Sequence, residues 1–172
     1  MNTSIVLTVI SPDQPGIVQS VSNALKKHGG NWTQSSMSTL AGQFAGILLA
    51  SVPESSADAC LAELRDLEDH GIHIVAEICD ESLETGKTSE YSLDLVGNDH
   101  PGIVNTITTL LANHNISVNE LETSVESGSM AGGSIFRAKA QLQVPESVDI
   151  GELETEIEDL ANDLMVEMSF EK

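Results

Sequence analysis

The stretch Asp13-Gln14-Pro15-Gly16-Ile17-Val18 recurs with one substitution as Asp99-His100-Pro101-Gly102-Ile103-Val104, 86 residues further along a chain of 172. The same offset pairs Leu25 with Leu111 and His28 with His114. Further on the offset becomes 92, where Phe44 meets Phe136 and Val52-Pro53-Glu54-Ser55 meets Val144-Pro145-Glu146-Ser147. Six extra residues therefore lie between Ser124 and Phe136, in the aperiodic run VESGSMAGGS, which predicts a lengthened hairpin loop. Self-similarity at a fixed period marks the chain as two copies of one unit.

Both units read in the same order. Residues 5–10 and 91–96 are aliphatic segments stopped by a turn containing Pro and Gly, as strands are. Helices follow near Gly16 and Gly102. Ile17, Val18, Val21, Ala24 and Leu25 in the first, and Ile103, Val104, Ile107, Leu110 and Leu111 in the second, share the spacing of a single buried stripe. Gly29 and Asn115 are predicted to end these helices in the left-handed conformation. Hairpins are expected over 31–40 with 43–52, and over 117–125 with 134–144. Ala57, Leu61, Leu64 and Leu67 mark a second helix in the first unit, and Ile150, Leu153, Ile157 and Leu160 in the second; closing strands fall at 72–78 and 164–170.

The order is βαββαβ, twice. Right-handed crossovers turn each into a four-stranded antiparallel sheet with both helices on one face, an α+β, ferredoxin-like domain. The polar run DESLETGKTS has linker composition and divides the chain into a domain at 1–80, a linker at 81–89 and a domain at 90–172. Domains of about eighty residues bury only a little over roughly 60% of their unfolded surface, so further packing is expected of each.

The bare faces of the two sheets differ. In the second unit Phe136, Ala138, Ala140, Leu142 and Val144 alternate with Arg137, Lys139, Gln141 and Gln143, which puts the polar set outside. The same register in the first unit puts Ala45, Ile47 and Leu49 outside, joined by Val6 and Ile10. An apolar open face invites burial, most simply on a symmetry-related copy, so a homodimer is expected.

Charge limits the partners. The chain carries 27 acidic residues against 7 Lys and Arg, a net charge of -20. Phosphate backbones are repelled by such a surface, and the cations never form a run longer than two, so no direct contact with nucleic acid is expected. The acidity leaves open a basic protein partner or solubility alone. No apolar run approaches the ~20 residues of a membrane helix, and residues 1–16 lack the basic start and cleavage site of a signal peptide. Cys60 and Cys79 read as buried thiols rather than a disulfide framework, and the expected location is cytoplasmic.

No phosphate loop, nucleophile elbow, C-x-x-C or H-E-x-x-H occurs, so no catalytic residue, cofactor or metal is expected. His70 and His73 with Cys79 are conceivable metal ligands, but His70 is expected to close a helix and His73 to face solvent. His28 and His114 read as helix-capping residues. An acylphosphatase-like enzyme would need an Arg in the first turn, where this chain has none.

The sequence Asp-x-Pro-Gly-Ile-Val between a first strand and a first helix resembles the signature loop of ACT domains. In physical terms Asp caps the turn, Pro presets φ, and Gly lets a ligand approach backbone N–H groups at the helix start. A turn that binds nothing is the other reading. The resemblance implies a small amino acid held between the loop of one domain and the start of the second strand of a neighbour. Here those positions are Asp13, Gln14, Pro15, Gly16 and Ile17 with Asn31, and Asp99, His100, Pro101, Gly102 and Ile103 with Ser117. Ser117 departs from the family's Asn and has less hydrogen-bonding reach. Two such domains and nothing else are similar to the glycine cleavage system transcriptional repressor family. That resemblance implies an accessory regulator that senses a glycine-like amino acid and acts on a DNA-binding activator by protein contact. The alternative it leaves open is a detached regulatory subunit of an amino-acid biosynthetic enzyme.

Overall fold

A computed structural model of the chain describes residues 1–79, 86–128 and 133–172, which divide into two compact units, Met1–Leu83 and Glu84–Lys172. The first unit runs β1 (Asn2–Pro12), α1 (Ile17–Lys27), β2 (Asn31–Leu40), β3 (Gln43–Pro53), α2 (Ala57–Asp66) and β4 (His73–Cys79). The second runs β5 (Thr88–Asn98), α3 (Ile103–Asn113), β6 (Ser117–Ser127), β7 (Ser134–Pro145), α4 (Ile150–Leu164) and β8 (Val166–Glu171). Each forms a four-stranded antiparallel sheet, in the orders β2-β3-β1-β4 and β6-β7-β5-β8. The tandem ferredoxin-like α+β fold expected from the repeat is the fold observed.

Strand alternation sets the layers. Ile5, Leu7 and Val9 of β1, with Leu48, Ala50 and Val52 of β3, are buried beneath Val21, Ala24 and Leu25 of α1 and Leu61 and Leu64 of α2. In the second unit Leu93, Leu95, Leu142 and Val144 lie beneath Ile107, Leu111, Leu153 and Ile157. The two helix stops take left-handed φ values, 72° at Gly29 and 56° at Asn115. The hairpin register locates the insertion as well. Leu40 pairs with Gln43 across the two-residue turn Ala41-Gly42, and the equivalent pair is Glu126 with Ile135. One further pair, Ser127 with Ser134, follows before residues 129–132, which lie outside the described residues.

Several element limits move. β5 begins at Thr88, so the last two residues of the predicted linker are strand, and residues 80–85 of that segment lie outside the described residues. α4 extends to Leu164 and Met165 takes φ 53°, so the last strand starts at Val166 rather than at 164. The second helix of the first unit ends at Asp66, and a 3-10 turn at Leu67–His70 completes it; Gly71, in the left-handed conformation, ends that turn. Cys60 is buried, but Cys79 is only half-buried, because its register with Ser4 puts it on the open face.

The open faces follow the predicted register. On the first sheet Val6, Thr8 and Ile10 of β1 lie beside Leu49, Ile47 and Ala45 of β3. Val75 of β4 flanks Thr8 on the other side. On the second sheet Glu90 and Asp94 of β5 lie beside Gln143 and Lys139 of β7, and Glu171, Ser169 and Glu167 of β8 pair with Ser92, Asp94 and Val96. Glu120 and Glu122 of β6 complete that charged surface.

Candidate ligand-binding site

The two signature loops have the same geometry. Gly16 and Gly102 occupy the position before each helix at φ 96° and 99°, a region costly for any residue with a Cβ. No atom lies within 4 Å of where a Cβ would stand on either, so the glycines answer to backbone conformation and leave open space above the turn. The first N–H groups to find helical acceptors are those of Ser20 and Thr106, which donate to the Gly16 and Gly102 carbonyls at 2.9 Å. The N–H groups before them, in the first turn, have no intrahelical acceptor.

Nothing in the sequence blunts these helix ends. No side chain caps α1 or α3, and neither has an acidic residue in its first turn. The other two helices differ: α2 has Asp58 in its first turn, and α4 has Glu152 there and Asp149 as its cap. Among the described residues, α1 and α3 are the α-helices with neither a side-chain cap nor an acidic residue in the first turn, and an anionic group is favoured at such an end.

The roles within the loops are redistributed relative to the sequence reading. Asp13 and Asp99 do not cap the helices with their side chains. Their backbone N–H groups donate instead to the carbonyls of Gly42 (2.9 Å) and Ser134 (2.8 Å), tying each loop to the hairpin of its own sheet. Gln14, Pro15, Gly16, Pro101 and Gly102 are exposed, whereas Ile17 and Ile103 are buried in the cores and offer a ligand only their backbone. His100 is not a freely exposed loop residue. Its Nδ1 lies 3.2 Å from the Pro101 carbonyl and its Nε2 3.4 Å from the Leu164 carbonyl at the end of α4.

Asn31 and Ser117 lie far from the loops of their own domains. Asn31 pairs with Ser51, which pairs with Ser4, eight positions before the end of β1; at about 3.3 Å per residue this is about 26 Å from the loop. Ser117 stands in the same relation through Gln143 and Glu90. The cause is topological: α1 and α3 carry the chain back along the sheet, so the following strand starts at the opposite end. Neither domain alone brings loop and strand start together. Trp32, beside Asn31, packs partly buried against the first core and donates from Nε1 to Ser35 Oγ at 3.1 Å.

His28 and His114 stand at the C-terminal caps of α1 and α3, where their backbone N–H groups donate to the Leu25 and Leu111 carbonyls, but their side chains do something else. Each reaches across to the second helix of its domain, His28 Nε2 to Glu63 Oε2 at 2.7 Å and His114 Nε2 to Glu156 Oε2 at 3.0 Å. Lys27 joins the first pair at 2.8 Å. Hydrogen bonds from Lys27 and then His28 hold the Glu63 carboxyl below its ordinary range, and burial followed by the charge of Glu63 pushes the Cys60 thiol up. The sequence reading missed the two glutamates because they lie 35 and 42 residues from their histidines, with no local pattern to link them. His73 faces solvent and lies 3.6 Å from Glu68.

The family model for the ACT domain matches residues 3–77 and again residues 93–171. No curated protein matches the chain significantly. Among solved structures, an unknown protein from Galdieria sulphuraria is 29% identical, with a TM-score of 0.90 over 99% of this chain and 98% of its own. A candidate glycine cleavage system transcriptional repressor is 19% identical, with a TM-score of 0.68 over 99% of this chain and 96% of that one, a likeness of fold.

Proposed function

The chain belongs to the ACT-domain family, and from that premise we propose that it is a non-catalytic regulatory protein that senses a small, glycine-like amino acid. The observation that carries this reading is the pair of uncapped, acid-free helix ends behind glycine turns, each open to a carboxylate. The ligand sits on the loop of one domain and is completed by the strand start of a neighbouring domain, Asn31 for one site and Ser117 for the other. A neighbour must run antiparallel to bring these parts together, because they lie at opposite ends of each sheet. The working form is a homodimer in the cytoplasm. Its output is contact with a DNA-binding regulator, making it an accessory transcriptional repressor; the acidic surface keeps the protein itself off nucleic acid. The fold shared with a candidate repressor supports that output.

Calorimetric titration with glycine, serine and other small amino acids, with Trp32 fluorescence followed in parallel, tests the sensor. Saturable binding that disappears in Gly16→Leu and in Asn31→Ala supports it, and heat from none of the amino acids in a folded sample overturns it. A pull-down from the native host tests the output, since recovery of a metabolic enzyme without a transcription factor assigns the chain to enzyme regulation instead.

A further inference from the structure

We propose that the open face of the first domain's sheet is a self-docking surface that takes the same face of a second copy of this chain. Its centre is apolar and contiguous. Thr8 is paired with Ile47 on one side and Val75 on the other, and Val6 and Ile10 lie two positions away along β1. Ile10, Ile47 and Val75 are 48%, 52% and 67% exposed, well beyond what scattered surface aliphatics require. Toward β2 the face continues as neutral Ser36 and Ser38, opposite Ile47 and Ala45.

Charge selects the occupant. Among the described residues, the ionisable side chains that the register puts on this face are, besides the Cys79 thiol, His73 and Glu77, both on the edge strand β4, in a chain of net charge -20. Two copies meeting through most other surfaces would set like charges together, whereas here apolar meets apolar. The open face of the other sheet is no match, because covering Glu90, Asp94 and Glu167 with aliphatic side chains strips carboxylates of water without pairing them. A face that mates with itself is the two-fold arrangement of most soluble dimers, and sheets stack face to face about 10 Å apart. Four strands about 4.8 Å apart and about eight residues long give a footprint of about 500 Å² per copy. That is below the ~800 Å² per partner of a standard interface, so the dimer is reversible. The proposal names the surface of the homodimer in the preceding reading, and it is tested without amino acid, so a failure of sensing leaves it standing.

Sedimentation of the full chain at about 1 to 100 µM, a range suited to so small a footprint, is the test. One chain should give way to two as concentration rises, and raising NaCl from about 0.05 to about 0.5 M should tighten the dimer several-fold by screening repulsion between acidic copies. Ile47→Lys and, separately, Val75→Glu should each hold the protein as single chains with unchanged far-ultraviolet dichroism, while Lys139→Ala on the other sheet should leave the dimer intact. The proposal is overturned by a wild-type protein that stays a single chain throughout, by a dimer that survives both substitutions, or by one that salt weakens.

Discussion

Gly16 and Gly102 show how one residue can be fixed by backbone conformation alone. With open space around both, Gly16→Ala or Gly102→Ala meets no clash and is destabilising only through its positive φ, by about 1–2 kcal/mol. Urea unfolding of each variant against wild type measures it, and a change near zero would show that the turn relaxes. Glu63 gives a pH signature. Because its carboxyl is held low in the folded state, its contribution is present above the ordinary value of about 4.5 and is lost as pH falls through the lowered one. Glu63→Gln should therefore lower first-domain stability at neutral pH and flatten its decline in acid, with a small effect because the pair lies near solvent. Following the urea midpoint through Trp32 from neutral to acid pH checks this. The glycines were legible in the sequence from the repeated turn, but the glutamates were not, since His28 and Glu63 are 35 residues apart and no periodicity links them.

At the scale of elements, the two hairpins are packed differently against their helices. Met37 of β2 lies over Gly46 of β3, so close that a Cβ at Gly46 would run into its side chain. The second domain has Thr123 over Ala138 in the same place, and Val118 where the first has Trp32. The smaller side chains leave an apolar cleft between α3 and β6, floored by Phe136, Ala138 and Ala140 and rimmed by Val104, Val118 and Leu121. Gly46→Ala should cost the first domain about 1–3 kcal/mol by overpacking, and adding Met37→Ala should recover part of the loss. Urea denaturation of the single and double variants reads the coupling; strict additivity would mean that the two residues do not share the site. The strands and their register could be read from alternation, but the cleft could not, because it depends on which side chains face each other across a helix and a sheet.

For the whole molecule, the cores differ in how completely they are buried and the acidity is uneven, with 10 acidic residues in the first unit and 17 in the second. Among the described residues the first core has 17 buried hydrophobic side chains with four more partly buried, and the second has 13 with ten partly buried; the second core is less completely shielded, so the second domain should unfold first. Trp32, the single tryptophan, reports only on the first domain, and its urea transition should fall at a higher midpoint than the first transition seen by circular dichroism. Coincident transitions would mean that the domains unfold as one. The sequence by itself determined the duplication, the βαββαβ order, the buried stripes and the glycine turns, because turn chemistry and periodicity of 2 or 3.6 act between neighbours along the chain. Only the tertiary structure decided that each signature loop hangs from its own hairpin through Gly42 or Ser134, that His28 and His114 bridge helices, and that loop and strand start lie at opposite ends of the sheet. Those facts depend on which distant residues folding brings within about 3 Å, a hydrogen bond's reach, and a local pattern does not encode that.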